Sequence, residues 1–539
     1  MNGMSLERLH AMADRVRARP WLLWTLVALP PLLLMALFIV TGVRGVDLGY
    51  HWDEVDWQIR PVRDMVASGI VMPRAAIYPT LCKWLTLLPA LPAGLLAILR
   101  GKDPRGVQAA IVAVLDRPNY LLTVRSMYVV VSAFAIPIVY GTVLVFRRKW
   151  WEAFIAAACV GLSWEYAYHS RWVATDCILV VFSALVLFML ALHHRTGVRG
   201  WLYAAAVAAG LGTGTKYQGV FLLVPVLLAG IMAMPRHRLG PRLILAHVGR
   251  AAALCGVAFA IYLVTTPATV LDPFTFVEQY HWISRQYLNG HGGHAVKTHA
   301  EHWKIVLEYF AVAYFTPYHV LTLVVFAVML FGAVLWARTD RWMATLLFGF
   351  PIVYLLFFCF RFKDVIPRNY LLIVPFLALL VARGFAGLFE LLPYRWARWL
   401  LAAGLVALMV VNATWLVRGG ESIRHLDNNR YAREAMAYVA KHPKTRFRVS
   451  ERIKTMATKQ QIAIPPNVTT GTDFDEVVLF HRADGPDAWD WKCNDPWLIR
   501  TAFGPKEVNI VWYAGWQGHD RIVVMTRKKA LSTGVQLAK

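Results

Sequence analysis

Charge is what this chain has least of: of its 539 residues only 16% are Asp, Glu, Lys or Arg, while 58% are hydrophobic. Soluble domains carry nearer a quarter charged residues, and one soluble core could not enclose this much apolar surface. A mean hydropathy of +0.48 points the same way, to lipid as the solvent. Acids are scarcer than bases, 32 against 56, giving a formal charge of +24. In a soluble protein that excess would suggest nucleic acid. Here the arginines fall in short loops between apolar runs, where the positive-inside rule places them, so a nucleic-acid partner is not expected. The six cysteines lie mostly inside apolar runs and show no metal-type spacing, so they read as buried apolar thiols. No small-residue cleavage site follows the first apolar stretch, which runs from Trp21 to Val40 behind Arg8, Arg15, Arg17 and Arg19. It is too long for a signal peptide and reads as an uncleaved first span.

What is present is a series of apolar runs near the ~20 residues that cross a bilayer as a helix. Eleven are expected, over roughly 21–41, 120–146, 152–169, 176–192, 201–214, 217–234, 244–266, 318–337, 342–360, 370–390 and 398–417. A further run at 84–99 has Pro79, Pro89 and Pro92 within it or nearby. Leaving it out of the count puts Arg147–Lys149, Arg195/Arg199, Arg236/Arg238/Arg242, Arg338/Arg341 and Arg395/Arg398 all on the N-terminal, cytoplasmic side. Counting it reverses every later loop. Lysine and arginine bias sets orientation, so 84–99 is expected as a juxtamembrane or re-entrant helix on the outer face.

After residue 417 the composition changes. A helix-like stretch at 427–441 precedes strand-like runs at 477–480, 508–513 and 521–526, with Gly/Pro turns between them. The expected fold is therefore an all-α polytopic membrane domain over 1–417 with a small α/β domain over 418–539. The loop count places that domain on the periplasmic side of a bacterial inner membrane.

The same count gathers polar residues at the outer ends of the spans. His51-Trp52-Asp53-Glu54-Val55-Asp56-Trp57 follows the first span, and Asp176 opens another just after Ser170-Arg171-Trp172. Lys216-Tyr217, Lys363 and Arg368-Asn369-Tyr370 stand at further span ends. In a helix Asp53 and Asp56 would share a face and Glu54 would turn away. Acids at membrane depth are costly and ask for a function. Transfer of a sugar from a lipid phosphate would use this inventory. A carboxylate takes the proton of the attacking hydroxyl, and cations hold the charge of the departing phosphate.

Asp53-Glu54, Tyr78-Pro79-Thr80-Leu81, Ser170-Arg171 with Asp176, Gly214-Thr215-Lys216-Tyr217 and Arg368-Asn369-Tyr370 ahead of Pro375 occur in that order. Together they resemble the C-type membrane glycosyltransferases related to protein O-mannosyltransferases and to the lipid A aminoarabinose transferase. The resemblance spans about residues 20–415. It implies inverting transfer from a polyprenyl-phosphate sugar at the outer face, with Asp53 as base and Glu54 and Asp176 beside it. Lys216, Tyr217, Arg171, Lys363, Arg368 and Tyr78 are the implied substrate-binding residues. The acceptor is a glycan, lipid or protein hydroxyl, membrane lipids surround the chain, and neither cofactor nor metal is implied. Where the family commonly has two prolines, this chain has Pro79-Thr80.

Each of these residues also has a plainer reading. Asp176 suits the start of any helix, and Lys216 could be an interfacial lysine whose stem lies along the lipid. The glycines before Lys216 lack the Walker spacing. His281, His291, His294, His299 and His302 are expected to be ordinary loop histidines, with a metal site on a helical His299/His302 pair as the alternative, and Trp489, Trp491, Trp497, Trp512 and Trp516 a small-domain core or sugar platform. A transporter or lipid flippase is the alternative function. It would carry charge at the bilayer midplane or internal repeats, but the spans are poor in midplane acids and show no repeat.

Overall fold

Backbone N–H and C=O groups have no water to bond in lipid, so apolar runs of this length can only be helices there. The computed structural model describes residues 20–46, 54–70, 77–117, 119–232, 241–290, 295–310, 316, 319–423, 430–450, 453–454, 457–458, 462–470, 473–482, 508–513 and 520–526. Among the described residues, nine helices are long and apolar enough to cross a membrane. They are Val27–Arg44, Leu81–Leu99, Tyr120–Arg147, Thr175–Thr196, Ile244–Thr265, Leu321–Thr339, Arg341–Arg361, Pro367–Leu391 and Arg395–Val417. The chain is an all-α polytopic membrane protein with a small α/β region at its C-terminal end.

Eight of the eleven expected spans are among these nine. The other three form shorter helices. The run at 152–169 divides into Trp150–Gly161 and Trp164–Ser170 because Ser163, in extended conformation, caps the second helix through Tyr166 N at 3.4 Å. Gly200–Thr215 and Tyr217–Met232 are separated only by the extended Lys216. Leu81–Leu99, expected from the loop charges as a juxtamembrane or re-entrant helix, is helical throughout and long enough to cross. Pro89 and Pro92 each open a new helical segment, where the missing N–H has no partner to lose.

Small residues bring the helices together. A Cβ on Gly210 would lie 2.5 Å from the carbonyl oxygen of Ala258, so Gly200–Thr215 touches Pro241–Thr265 backbone to backbone. Gly332 and Gly384 do the same for His319–Thr339 and Val374–Leu391. Such close approach is how helices associate where lipid removes the hydrophobic drive.

Beyond the last span, helix Arg430–Lys441 packs on a five-stranded sheet ordered β2-β1-β3-β5-β4. The strands are β1 Phe447–Val449, β2 Val468–Thr469, β3 Glu476–Arg482, β4 Val508–Tyr513 and β5 Asp520–Thr526. β1 pairs in parallel with β2 and β3, and β5 pairs antiparallel with β3 and β4. The three expected strands are β3, β4 and β5. β1 and β2 are too short to alternate visibly in sequence. Trp489, Trp491, Trp497 and Trp516 lie outside the described residues, as does the side chain of Trp512.

Candidate active site

Four chain segments meet at one end of the helical bundle: the turn after the first span, the loop before Asp176, the break at Lys216, and the 3-10 turn Pro367–Ile373. Asp176 occupies the first turn of Thr175–Thr196, and Lys216 follows the last residue of Gly200–Thr215. Both positions suit their charges, an acid at a helix N-terminus and a base at a C-terminus. The Lys216 ammonium donates to Asp176 Oδ1 and to Asn369 Oδ1, each at 2.6 Å. Arg368 Nε lies 3.6 Å from Asp176 Oδ2. Asn369 is itself fixed, donating from Nδ2 to the Tyr287 hydroxyl at 3.2 Å and accepting at its carbonyl from the Tyr354 hydroxyl at 2.8 Å. Burial raises the Tyr287 phenol above its ordinary range, which keeps it a neutral partner.

Glu54 is buried and has a different set of partners. Its carboxylate accepts from Arg125 Nε at 3.0 Å and Nη2 at 2.5 Å, and from the Val173 backbone N–H at 2.7 Å. Arg125 also donates to the Val46 carbonyl at 2.8 Å and sits over the Trp172 ring. One ion pair thus joins the end of the first span, helix Tyr120–Ala133 and the loop leading to Asp176. This geometry makes Glu54 an anchor. The residues after it form a π-helical turn, Val55–Ile59. Asp53 lies outside the described residues, as does the Asp56 side chain.

Between these two clusters is a small pocket lined by Glu54, Gln58, Tyr78, Trp172, Val173, Ala174, Thr175, Asp176 and Arg368. Of the expected residues, Glu54, Tyr78, Asp176 and Arg368 reach it. Lys216 stands behind Asp176 and is not part of its lining. Tyr217 turns away, its ring 5.3 Å from Tyr280 and 6.1 Å from Phe276. Lys363 is exposed, and its backbone pairs with Tyr287 and Val296. Arg171 is fully buried, with Nη2 donating to the Thr41 carbonyl at 3.3 Å and the guanidinium over the Trp164 ring. Its side chain is separate from the pocket lining.

His302 bonds the Phe362 carbonyl through Nδ1 at 2.9 Å and the Tyr370 hydroxyl through Nε2 at 2.5 Å. His299 bonds the Cys359 carbonyl. His291 and His294 lie outside the described residues. Among the described residues no three metal-ligating side chains are grouped. Sequence reasoning missed Gln58 and the Glu54–Arg125 pairing. A signal existed for the second, since Arg125 is a base set inside the apolar run 120–146.

Residues 87–270 match the family model of dolichyl-phosphate-mannose-protein mannosyltransferases. That stretch holds Arg125, Arg171, Asp176 and Lys216. Over it the chain is similar to C-type membrane glycosyltransferases. No curated protein sequence matches the chain. Among solved structures, ArnT from Cupriavidus metallidurans bound to undecaprenyl phosphate aligns at 15% identity and a TM-score of 0.45, covering 92% of this chain and 97% of that one. The Archaeoglobus fulgidus oligosaccharyltransferase, tethered to an acceptor peptide with the NVT sequon, aligns at 10% identity and a TM-score of 0.40, covering 81% and 63%.

Proposed function

We propose that the chain is an inverting glycosyltransferase that moves a sugar from a polyprenyl-phosphate carrier to an acceptor hydroxyl at the periplasmic face. One observation carries this reading: a pocket lined by Arg368, Asp176 and Glu54, the last being next in sequence to Asp53. The match to a family named for a polyprenyl-phosphate sugar supports the donor class.

In this mechanism the carrier phosphate meets Arg368, the cation that reaches the pocket. Asn369 fixes Lys216, Lys216 holds Asp176, and Asp176 in turn positions Arg368. Asp53 takes the proton of the acceptor hydroxyl as its oxygen attacks the anomeric carbon. The C–O bond to the carrier phosphate breaks, and that phosphate leaves with the electron pair, stabilised by the guanidinium. Attack from the face opposite the leaving group inverts the anomeric centre. Glu54, committed to Arg125 and Val173, anchors the start of the turn Val55–Ile59.

Incubating the purified protein with a prenyl-phosphate sugar and an acceptor extract should release free prenyl phosphate, and Asp53→Asn should abolish the release without loss of folded protein. The topology has its own check. Reporter fusions at residue 430 should behave as periplasmic and those at residue 197 as cytoplasmic; the opposite result removes the outer-face assignment.

A further inference from the structure

Gln58 is a polar side chain of the pocket that the proposed transfer step leaves without a task. It sits in the π-helical turn Val55–Ile59, four residues after Glu54, and is 1% exposed. Such turns are uncommon and recur at functional sites. The Gln58 amide oxygen is buried and has no hydrogen-bond partner. A buried acceptor left in that state is unfavourable. Yet the residue lines the same pocket as Arg368 and Asp176, a cleft of about 20 Å³ that has to widen to take a sugar ring.

The surrounding charges narrow the class of sugar. Each carboxylate among the described lining residues is already matched, Glu54 by Arg125 and Asp176 by Lys216 with Arg368. A protonated amino sugar would find no unmatched carboxylate among them, and would face the Arg368 guanidinium. Asp53 is taken up with the acceptor proton. A neutral hydroxyl both donates and accepts, so it suits either end of an amide.

We propose that Gln58 is a specificity-determining residue that hydrogen-bonds a hydroxyl of a neutral sugar on the donor, an inference that rests on the glycosyltransferase reading. The amide fixes the sugar ring relative to Arg368, and a donor without that hydroxyl leaves the amide oxygen unpaired.

The test measures binding to the purified full-length chain in detergent, with bare farnesyl phosphate, farnesyl-phosphate mannose and farnesyl-phosphate aminoarabinose as probes. Wild type should bind the mannose donor about tenfold more tightly than bare farnesyl phosphate, one charge-free hydrogen bond's worth. The aminoarabinose donor should gain nothing. Gln58→Leu should erase the mannose increment while keeping the affinity for bare farnesyl phosphate. Singly deoxygenated mannose donors test the same point on wild type alone, because removal of one particular hydroxyl should lose the increment. An increment that survives in Gln58→Leu, indifference to every deoxygenation, or a preference for the aminoarabinose donor would overturn the assignment. Failure of wild type to bind bare farnesyl phosphate would instead overturn the glycosyltransferase reading, and Gln58's role with it.

Discussion

Removing the Glu54 carboxylate should cost the fold before it costs the chemistry. Glu54 and Arg125 are each 1% exposed, and the carboxylate accepts three hydrogen bonds, two from the guanidinium and one from Val173 N–H. Glu54→Ala leaves that guanidinium buried and uncompensated, for which about 3–5 kcal/mol is the usual penalty. It also leaves the Val173 N–H without its acceptor, roughly 1 kcal/mol more. Replacing both partners with apolar residues of similar size, Glu54→Leu with Arg125→Met, removes the charge problem and should recover most of the loss. The two residues are in direct contact, so their effects should be non-additive by about 2–3 kcal/mol. Multi-span proteins often unfold irreversibly, so the assay is the rate of loss of monodisperse protein in detergent at fixed temperature. Glu54→Ala and Arg125→Met should each speed that loss strongly, and the double variant should be slower than either. If Glu54→Ala were as durable as wild type yet inactive, Glu54 would be a reacting group and not an anchor.

Arg368→Gln should weaken donor binding roughly 10- to 100-fold, the range for one charge-assisted hydrogen bond, with a much smaller effect on acceptor KM. Equal losses for donor and acceptor would remove Arg368 from the phosphate. Lys216→Met should lower kcat and stability together, because it releases both Asp176 and Asn369; a variant that changes only donor KM would place Lys216 in the pocket instead. Burial holds the His302 imidazole below its ordinary range. The unfolded chain therefore binds a proton there before the folded one does. Stability should fall as pH drops below about 6.5 and be unaffected by this group above it. Thermal inactivation compared at pH 7.5 and 5.0 should show a smaller difference in His302→Gln than in wild type.

Much of this fold was legible because lipid imposes one answer on long apolar runs. Helix ends were less so. Hydropathy runs without interruption through Leu162–Ser163, and only the capping geometry of Ser163 divides that stretch. Pro89 and Pro92 do not interrupt the helical stretch Leu81–Leu99, since each stands in the first turn of its segment. At the site, ordered motifs brought Asp176, Lys216, Arg368 and Asn369 to attention, and the structure joins them in one cluster. Sequence could not show that Arg368 reaches the pocket while Lys216 backs Asp176, or that Tyr217 turns toward Tyr280. Those are matters of side-chain direction at helix breaks. Nor could it show that Glu54 is spent on Arg125, a partner 71 positions away. Gln58 was missed because its inward turn depends on a π-helical residue count that no local pattern announces.

The central claim is that Asp53 acts as base in transfer from a prenyl-phosphate sugar. Its most direct test is the rate at which purified wild type and Asp53→Asn release free prenyl phosphate from farnesyl-phosphate mannose in the presence of acceptor. Loss of a positioned general base should lower that rate about 10²- to 10⁴-fold, with donor affinity and folded yield preserved. Release at the wild-type rate by Asp53→Asn would contradict the account.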